Sequence, residues 1–526
     1  ITLLLITVLS TSIIAQELLN NDQLIITQKS RKTDLYGYYI GKIGEFYYTY
    51  TKGSPVDKKS IKLSKHTLDG KKVAKVKVDG KVKGFYKRCE QSWDQTGDDG
   101  FGRELNRDSY KIINDKLYHF IPDEDKDAYT RRLWVERINL ETLEASKPEL
   151  LFETKTDIKN FNRSRYTEFS FQIEQDSQND KLHLLIIYCY FREGGTTAFC
   201  KIDGDKFIKI EANFESKKKK KELYIPSNSL SINNDEFSFP VIEYNSDDEK
   251  VLQYYSFKSK SKKITQTTLF ENLKFEKFEK LINGSQHFLF KDKEIRYHGF
   301  CRVTEDGEST VYYFSKTYNT QTKETTEYEV EVPGLTKETY MNKEEKSYLD
   351  KRFNYGDEEI NSNPFNLTLC ETLFDEKGNM YLIGEFSDPY KIRYSTDSRL
   401  VYYDLRGDYF IYKVNSDQSL NLISIYDLYN STHYSGYRTP LITIHNNQIF
   451  FVGYNLETPT SISFGKKCIE IAACDLSTKQ VELIHRVPNS EFSFQRIYDY
   501  NEFVNGKGSI SISKMNKTKQ LEVELK

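Results

Sequence analysis

A two-part pattern of turns and strands recurs about eight times along the 526 residues of this chain. Each copy opens with a short Asn, Asp or Gly turn that leads into an aromatic strand. A second turn, of the Asp/Asn-x-x-Lys kind, follows between two further strands. Such turns accept left-handed backbone geometry, and the aromatic and branched residues after them favour strands. The pattern therefore predicts a succession of small antiparallel sheets.

The spacing of the two turns indicates how the copies differ. The first turns begin at Gly44, Asn114, Asn179, Asn234, Asn283, Gly378, Asn446 and, in a degenerate copy, Asn505. The second turns begin at or near Asp69, Asn139, Asp203, Ser259, Asn319, Asn415, Asp475 and Asn516. The two turns lie 24 or 25 residues apart in the first four copies and 29 to 37 in the next three, which indicates later insertions. Only 11 residues separate them in the last copy, so this copy lacks a strand, and residues 23–27 are a candidate for it.

Composition narrows the class of protein. The chain has 39 Tyr and 33 Phe but only 3 Met, which favours strands over helices. Its net charge of −2 argues against a nucleic-acid binder or a binder of anionic membranes, because both need an excess of basic residues. One insertion, residues 343–352, has the Lys and Glu density of a short helix.

No pattern in the sequence predicts a catalytic, metal or cofactor site. The eight His residues lack zinc-site spacing, and neither a nucleophile elbow nor a phosphate-binding glycine loop is found. Residues 94–100 resemble the start of a calcium loop but have Asp where the sharp turn needs Gly, so a solvated loop is favoured. The lysine block at residues 217–221 is likewise read as a solvated loop. We therefore predict no catalytic residues, no metal and no cofactor.

The N-terminus carries the targeting information. Residues 1–14 form an uncharged apolar run that suits the hydrophobic region of a secretory signal and is too short for a membrane span. We predict cleavage after Ala15, a signal peptide at 1–15 that lacks its true start, and a secreted, periplasmic or cell-surface protein without membrane insertion. The alternative is a buried first strand. Five Asn-x-Ser/Thr sequons, at Asn162, Asn283, Asn366, Asn430 and Asn516, matter only if the cell glycosylates exported proteins.

Seven cysteines cannot all pair with one another. A turn at residues 194–195 would place Cys189 directly opposite Cys200, at a site where a cross-strand disulfide is uncomfortable. We interpret these two as buried small apolar residues, with a disulfide as the alternative. Cys468 and Cys474 lie along one predicted strand and cannot bridge if that strand is extended.

Three long aromatic insertions are the predicted binding loops, because loops on a rigid β scaffold carry most binding sites. Tyr, Trp and Arg are enriched at binding hot spots. The candidate binding residues are Trp93 and Arg103 in the first insertion, Tyr394 and Tyr403 in the second, and His433, Tyr437 and Arg438 in the third. The alternative is that these aromatic residues belong to the core.

The chain resembles the β-propeller superfamily in segments such as residues 374–384 and 473–481, which place a turn and an aromatic or apolar strand as propeller blades do. The resemblance covers most of residues 36–526, and the chain departs from the WD and Kelch signatures. It implies an all-β propeller of seven or eight four-stranded blades with long loop insertions, its ring closed by the N-terminal strand. The alternative is a pair of β-sandwiches.

These observations together predict a single propeller domain over residues 16–526. They favour an exported, non-catalytic protein that binds a protein, peptide or glycan through a loop-rich face, with no nucleic-acid partner. A carbohydrate-active hydrolase or lyase with carboxylates at the propeller centre is the first alternative. A structural subunit of a surface assembly is the second.

Overall fold

The structure of the chain is a computed structural model. The described residues are 16–20, 24–32, 37–51, 61–67, 71–78, 110–113, 115–125, 128, 130–155, 169–175, 183–191, 194–203, 206–215, 231–233, 236–244, 249–258, 263–271, 286–291, 293–305, 308–335, 366–393, 400–426, 430–432, 440–456, 467–488, 497–504, 506–514 and 517–526. The predicted signal peptide, the predicted helix at 343–352 and the calcium-like loop lie outside them. No helix of the described residues is long and apolar enough to span a membrane.

The described strands pair into eight antiparallel sheets, which fall into two compact units. The first unit spans Ile1–Glu222 and Ser493–Lys526. It contains sheet 1 (β3 Gly37–Ile43, β4 Phe46–Thr51, β5 Ile61–Thr67, β6 Lys72–Val78), sheet 2 (β7 Tyr110–Ile113, β8 Lys116–Asp125, β9 Thr130–Asn139, β10 Glu149–Lys155), sheet 3 (β11 Phe169–Gln175, β12 His183–Phe191, β13 Gly194–Asp203, β14 Lys206–Glu215) and sheet 8 (β1 Gln16–Asn20, β2 Leu24–Lys32, β32 Ile497–Val504, β33 Lys507–Lys514, β34 Lys517–Leu525).

The second unit spans Leu223–Phe492. It contains sheet 4 (β15 Ser231–Asn233, β16 Glu236–Tyr244, β17 Lys250–Lys258, β18 Lys263–Phe270), sheet 5 (β19 Gln286–Lys291, β20 Glu294–Glu305, β21 Glu308–Asn319, β22 Thr325–Glu331), sheet 6 (β23 Asn366–Phe374, β24 Met380–Arg393, β25 Leu400–Val414, β26 Leu420–Tyr426, β27 Asn430–Thr432) and sheet 7 (β28 Leu441–His445, β29 Gln448–Leu456, β30 Lys467–Asp475, β31 Gln480–Pro488).

Neighbouring sheets within each unit pack face to face through buried apolar side chains. Sheets 1 and 2 share a core that includes Tyr48 and Ile138. Sheets 5 and 6 share one that includes Phe300 and Tyr412, whose rings lie 6.0 Å apart. Successive four-stranded antiparallel meanders that bury their faces against one another form a β-propeller, as the sequence predicts. Eight sheets lie within the predicted range of seven or eight blades.

The N-terminal strand completes the sheet formed by the C-terminal strands, as predicted. Sheet 8 has the order β1-β2-β34-β33-β32, so β2 is its fourth strand and β1 is an additional fifth. The register places Leu24 opposite Leu525 and Ile26 opposite Val523. All four of these side chains are buried, and Leu24 and Ile26 are completely so. The closure therefore rests on an apolar ladder as well as on backbone hydrogen bonds.

The turn between the third and fourth strands has the same construction in sheets 2, 5 and 7. The Oδ1 atom of Asn139 accepts hydrogen bonds from the backbone N–H groups two and three residues later, at 2.8 and 3.0 Å. Asn319 and Asp475 do the same in their own turns. The residue four positions after each of them has positive φ: Leu143 (59°), Lys323 (61°) and Lys479 (61°). The recurring Asn or Asp is thus an Asx turn that satisfies backbone donors.

Three sequence-based assignments within this framework are wrong. Asn283 precedes β19, and the first turn of sheet 5 lies instead between Lys291 and Glu294. Asn516 lies between the second and third strands of sheet 8, because the fourth strand comes from the N-terminus. The second insertion is not a loop over its whole length, because β24 and β25 continue through most of it.

The predicted register of the two cysteines in sheet 3 is also wrong. Strand β12 ends at Phe191 and β13 begins at Gly194, so the turn lies two residues earlier than the Gly-Gly pair suggests. Cys189 is therefore opposite Thr196, and Cys200 is opposite Leu185. Because each strand residue has one opposite partner, a two-residue shift of the turn gives every residue of the hairpin a different partner. Elsewhere in the chain, Cys468 and Cys474 lie along the single strand β30, as predicted.

Candidate functional site

The second and third insertions form one continuation of sheet 6. Strand β23 pairs with β24 only as far as Ser387, and β26 pairs with β25 only from Tyr409 onward. Beyond those points β24 and β25 remain paired through seven register positions, from Ser387 opposite Arg406 to Arg393 opposite Leu400. We call residues 387–393 and 400–406 the ribbon. Because neighbouring strands alternate in direction, the ribbon extends from the end of sheet 6 opposite the turn between β23 and β24.

A short third strand joins the ribbon. Strand β27 pairs with β25, with Asn430 opposite Arg406 and Thr432 opposite Asp404. This strand belongs to the third insertion, which follows β26 along the chain. The pairing therefore joins two insertions that lie about 30 residues apart in the sequence. A two-stranded ribbon alone is marginally stable in water, and the third strand adds main-chain hydrogen bonds.

The structure describes only one of the candidate binding residues. Tyr403 lies in the ribbon, where its register partner is Tyr390. The other six lie outside the described residues: Trp93, Arg103, Tyr394, His433, Tyr437 and Arg438. Tyr394 follows directly after β24, and His433 follows directly after β27. These two positions are thus adjacent in sequence to strands that pair with β25.

A buried row of polar side chains lies where the ribbon leaves the sheet. Glu385 of β24, Tyr409 of β25 and Tyr426 of β26 are register partners across sheet 6. The Tyr409 hydroxyl donates to Glu385 Oε1 at 3.1 Å, and the Cys370 thiol lies 3.8 Å from Oε2 of the same carboxylate. The ladder register shifts between Glu385 and Ser387, which marks a β-bulge at this point. The row therefore lies immediately below the ribbon.

The same row continues into sheet 7. The Tyr426 hydroxyl donates to Glu470 Oε2 at 3.1 Å, and Arg486 Nε donates to Glu470 Oε1 at 2.7 Å. The Phe451 ring packs against both tyrosines of the row, with centroid distances of 5.8 Å to Tyr409 and 4.9 Å to Tyr426. Two carboxylates, two phenols and one guanidinium thus link β24, β25, β26, β30 and β31.

Burial and charge determine what this row can do. Glu470 is only 3% exposed, whereas the side chain of Arg486 is 40% exposed and connects the row to solvent. Burial and then the Glu470 carboxylate raise the pKa of Tyr426 well above its usual value, so its hydroxyl keeps its proton. Both oxygens of the Glu470 carboxylate accept hydrogen bonds, Oε2 from Tyr426 and Oε1 from Arg486. The row is suited to holding strand ends in place, and its groups are already occupied by one another.

A second polar cluster lies between sheets 5 and 6. His287 and His298 are register partners whose ring centroids lie 6.4 Å apart. His298 is completely buried, with Nδ1 3.5 Å from the Tyr313 hydroxyl and Nε2 3.5 Å from the Thr372 hydroxyl. Burial, with His287 and Arg296 nearby, holds the pKa of His298 well below its usual value. Its neutral form is therefore the one that fits this cluster.

Sequence reasoning missed the buried row. Its signal is a Glu within an apolar strand, as in residues 380–386 and 468–474, at a position that strand alternation assigns to the core. A charged residue at such a position needs a partner, but the partners come from other strands and from another sheet. Among the described residues, no group of three or more His, Cys, Asp or Glu side chains could hold a metal ion.

Comparisons with known proteins do not assign this chain to a family. No family model matches the chain, and no curated protein does. Among solved structures, the WD40 domain of SCAP from fission yeast is similar at 9% identity, over 94% of this chain and 96% of that one, with a TM-score of 0.38. The β-propeller domain of the Trilobed protease from Pyrococcus furiosus is similar at 11% identity, over 88% and 99%, with a TM-score of 0.32. The polysaccharide lyase Uly1 is similar at 10% identity, over 80% and 89%, with a TM-score of 0.36. TM-scores this low do not support a conclusion about the fold. The assignment to the β-propeller fold therefore rests on the strand pairing.

Proposed function

We propose that this chain is an exported propeller that binds a protein, peptide or glycan through the end of sheet 6 that carries the ribbon. One observation supports this above all: β27 pairs with β25, so two aromatic insertions meet on one scaffold. Binding sites are commonly built from loops held by rigid strands. Export is supported by the apolar run at residues 1–14, which has the length and composition of a secretory signal.

The buried row supports binding at this end rather than catalysis in the row itself. A general acid or base must reach the substrate, and its pKa must be tuned for proton transfer. Glu470 is 3% exposed and already accepts hydrogen bonds from Tyr426 and Arg486. Glu385 is 7% exposed and accepts from Tyr409. These contacts support a positioning role, in which the row fixes the strands from which the ribbon emerges.

The test is a triple substitution of Tyr403, Tyr437 and Arg438 to Ala in the purified protein. For the native protein and the triple variant, binding to a glycan array and to a random peptide library is measured together with thermal unfolding. We expect the variant to lose ligand capture with an unchanged unfolding temperature. The matched control is Tyr328→Ala on the edge strand β22 of sheet 5, which should keep ligand capture.

Two outcomes would contradict this function. Equal losses of binding and of thermal stability would mean that the three residues support the fold. Turnover of a polysaccharide by the native protein, abolished by Glu385→Gln or Glu470→Gln with the fold intact, would support the hydrolase or lyase alternative. A broad glycan-cleavage screen on the native protein and these two variants decides that point.

A further inference from the structure

Two sheet edges carry charges of opposite sign. In the described part of the chain, β6 pairs only with β5 and β22 pairs only with β21, so each strand is the last of its sheet. Strand β6 contains three lysines and no acid, whereas β22 contains three glutamates and no base. An edge strand keeps one row of backbone N–H and C=O groups that can pair with another strand. Both edges can therefore accept a further strand.

The basic edge, strand β6, presents accessible side chains. Lys72 and Lys75 are exposed, and Val73, which lies between them in sequence, is 51% exposed. Ala74 and Val76 are half-buried against the core that sheets 1 and 2 share. A strand that pairs with β6 would thus meet two cations and cover apolar surface that is now in contact with water.

The acidic edge, strand β22, has its glutamates on one side. Glu327, Glu329 and Glu331 alternate along the strand, so their side chains share a side. The first and last of these are exposed, and Glu329 is half-buried. Glu327 forms an ion pair with the buried Lys316 at 2.6 Å, yet its side chain remains 50% exposed. Three glutamates against this one lysine leave the edge negatively charged.

We propose that β6 of one copy of this chain pairs antiparallel with β22 of a second copy. Like charges directly opposite one another destabilise a strand pair, and opposite charges stabilise it. Each edge is therefore protected against a second copy of itself but is complementary to the other edge. Pairing Lys75 with Glu329 also places Val76 opposite Tyr328, which adds an apolar pair on the other side. The net charge of −2 adds little repulsion between whole copies.

This contact is head-to-tail, because it joins two different surfaces of the chain. Such a pair leaves β22 of one copy and β6 of the other open to further copies, so the assembly grows unless it closes into a ring. The inference concerns assembly of the protein and does not depend on the proposed ligand binding.

The test measures the mass of the full chain by sedimentation velocity over a range of protein concentrations. We expect larger species at high concentration. Association should be about tenfold weaker in 1 M than in 0.1 M NaCl, because the screening length falls from about 10 to 3 Å.

Charge reversal identifies the two edges. The basic-edge variant is Lys72→Glu with Lys75→Glu, and the acidic-edge variant is Glu329→Lys with Glu331→Lys. Each variant alone has like charges on its two edges and should associate at least tenfold more weakly than the native protein. A mixture of the two variants should associate again, because each supplies one native edge. The chain with all four substitutions should also associate, because its two edges have exchanged their charges.

The control variant is Lys147→Glu with Lys155→Glu, which reverses two exposed lysines at or beside the edge strand β10 of sheet 2. It should associate like the native protein. Thermal unfolding shows which variants are folded; if the acidic-edge variant is not, Glu331→Lys alone should weaken association in the same direction.

Three results would overturn the proposal. The first is a native protein that stays monomeric at every concentration. The second is a mixture of the two folded variants that does not associate, or a control that weakens association as much as they do. The third is association that survives in both variants, which would place the contact at another surface, such as the edge strand β18.

Discussion

Replacing Ile26 by Ala tests whether the N-terminal strand is an integral part of sheet 8. The Ile26 side chain is completely buried, and its register partner is Val523 of β34. The substitution removes three carbon atoms, worth about 2.4 kcal/mol of transfer free energy. The cavity left behind adds to this, so the loss of stability should be about 3 kcal/mol.

Amide hydrogen exchange is the appropriate assay, because a chain of two compact units does not guarantee two-state unfolding. Exchange reports the local opening of strands. A loss of 3 kcal/mol corresponds to roughly a hundredfold faster exchange, at about 1.4 kcal/mol for each factor of ten. We expect this acceleration in peptides that cover β34, since β2 and β34 are paired along nine positions.

Ile25→Ala is the matched control. Ile25 is the neighbouring residue on the opposite side of the same strand and is only half-buried. Its substitution should cost about 1 kcal/mol and accelerate exchange in β34 far less. If the two variants change β34 equally, or if neither changes it, then β2 does not complete the sheet and the account of closure is wrong.

Three further predictions concern the turns and the buried polar groups. Tyr426→Phe should lower the free energy of unfolding of the second unit, measured by urea titration, by about 1–3 kcal/mol, because it removes a donor from the buried Glu470 carboxylate. The control is Tyr412→Phe, which should cost less in the same titration, because the Tyr412 hydroxyl makes only a 3.4 Å contact with a backbone carbonyl. Burial lowers the pKa of His298 in the folded state, so the stability that this residue contributes should be fully present above its unfolded pKa of about 6.5 and should be lost as the pH falls below that value. The urea midpoint of the native protein should therefore fall more between pH 7.5 and 5.5 than that of His298→Gln, and equal falls would contradict the prediction. Lys323→Gly should raise stability by about 0.5–1 kcal/mol in calorimetry, because φ is 61° there and glycine adopts that conformation without strain; a lower unfolding temperature would count against it.

The positions of the turns could be read from the sequence because each turn has local chemistry. Asn446 and Asn447 both have positive φ at the turn between β28 and β29, and Gly378 and Gly506 occupy corresponding turns. Asn139, Asn319 and Asp475 bind the backbone within three residues of themselves. The hydrogen bonds that decide these turns are local, so the residue types alone predict them.

The same reasoning failed where two candidate turns compete. Residues 192–195 offer two possible hairpin centres, and the Gly-Gly pair was the wrong choice. The Asn283–Gly284 pair has turn chemistry but precedes the first strand of sheet 5. Register is set by the whole ladder and by its buried side, which a single dipeptide does not encode.

The sequence by itself predicted the fold class, a range of seven or eight blades and the need for a strand from the N-terminus, because periodicity and turn residues act locally along the chain. Tertiary structure alone decided which residues meet: Tyr426 with Glu470 across two sheets, Ile26 with Val523 across almost the whole chain, and β27 with β25. Such contacts depend on how sheets pack and how strands extend past their neighbours. Their partners are distant in sequence, so no local pattern specifies them.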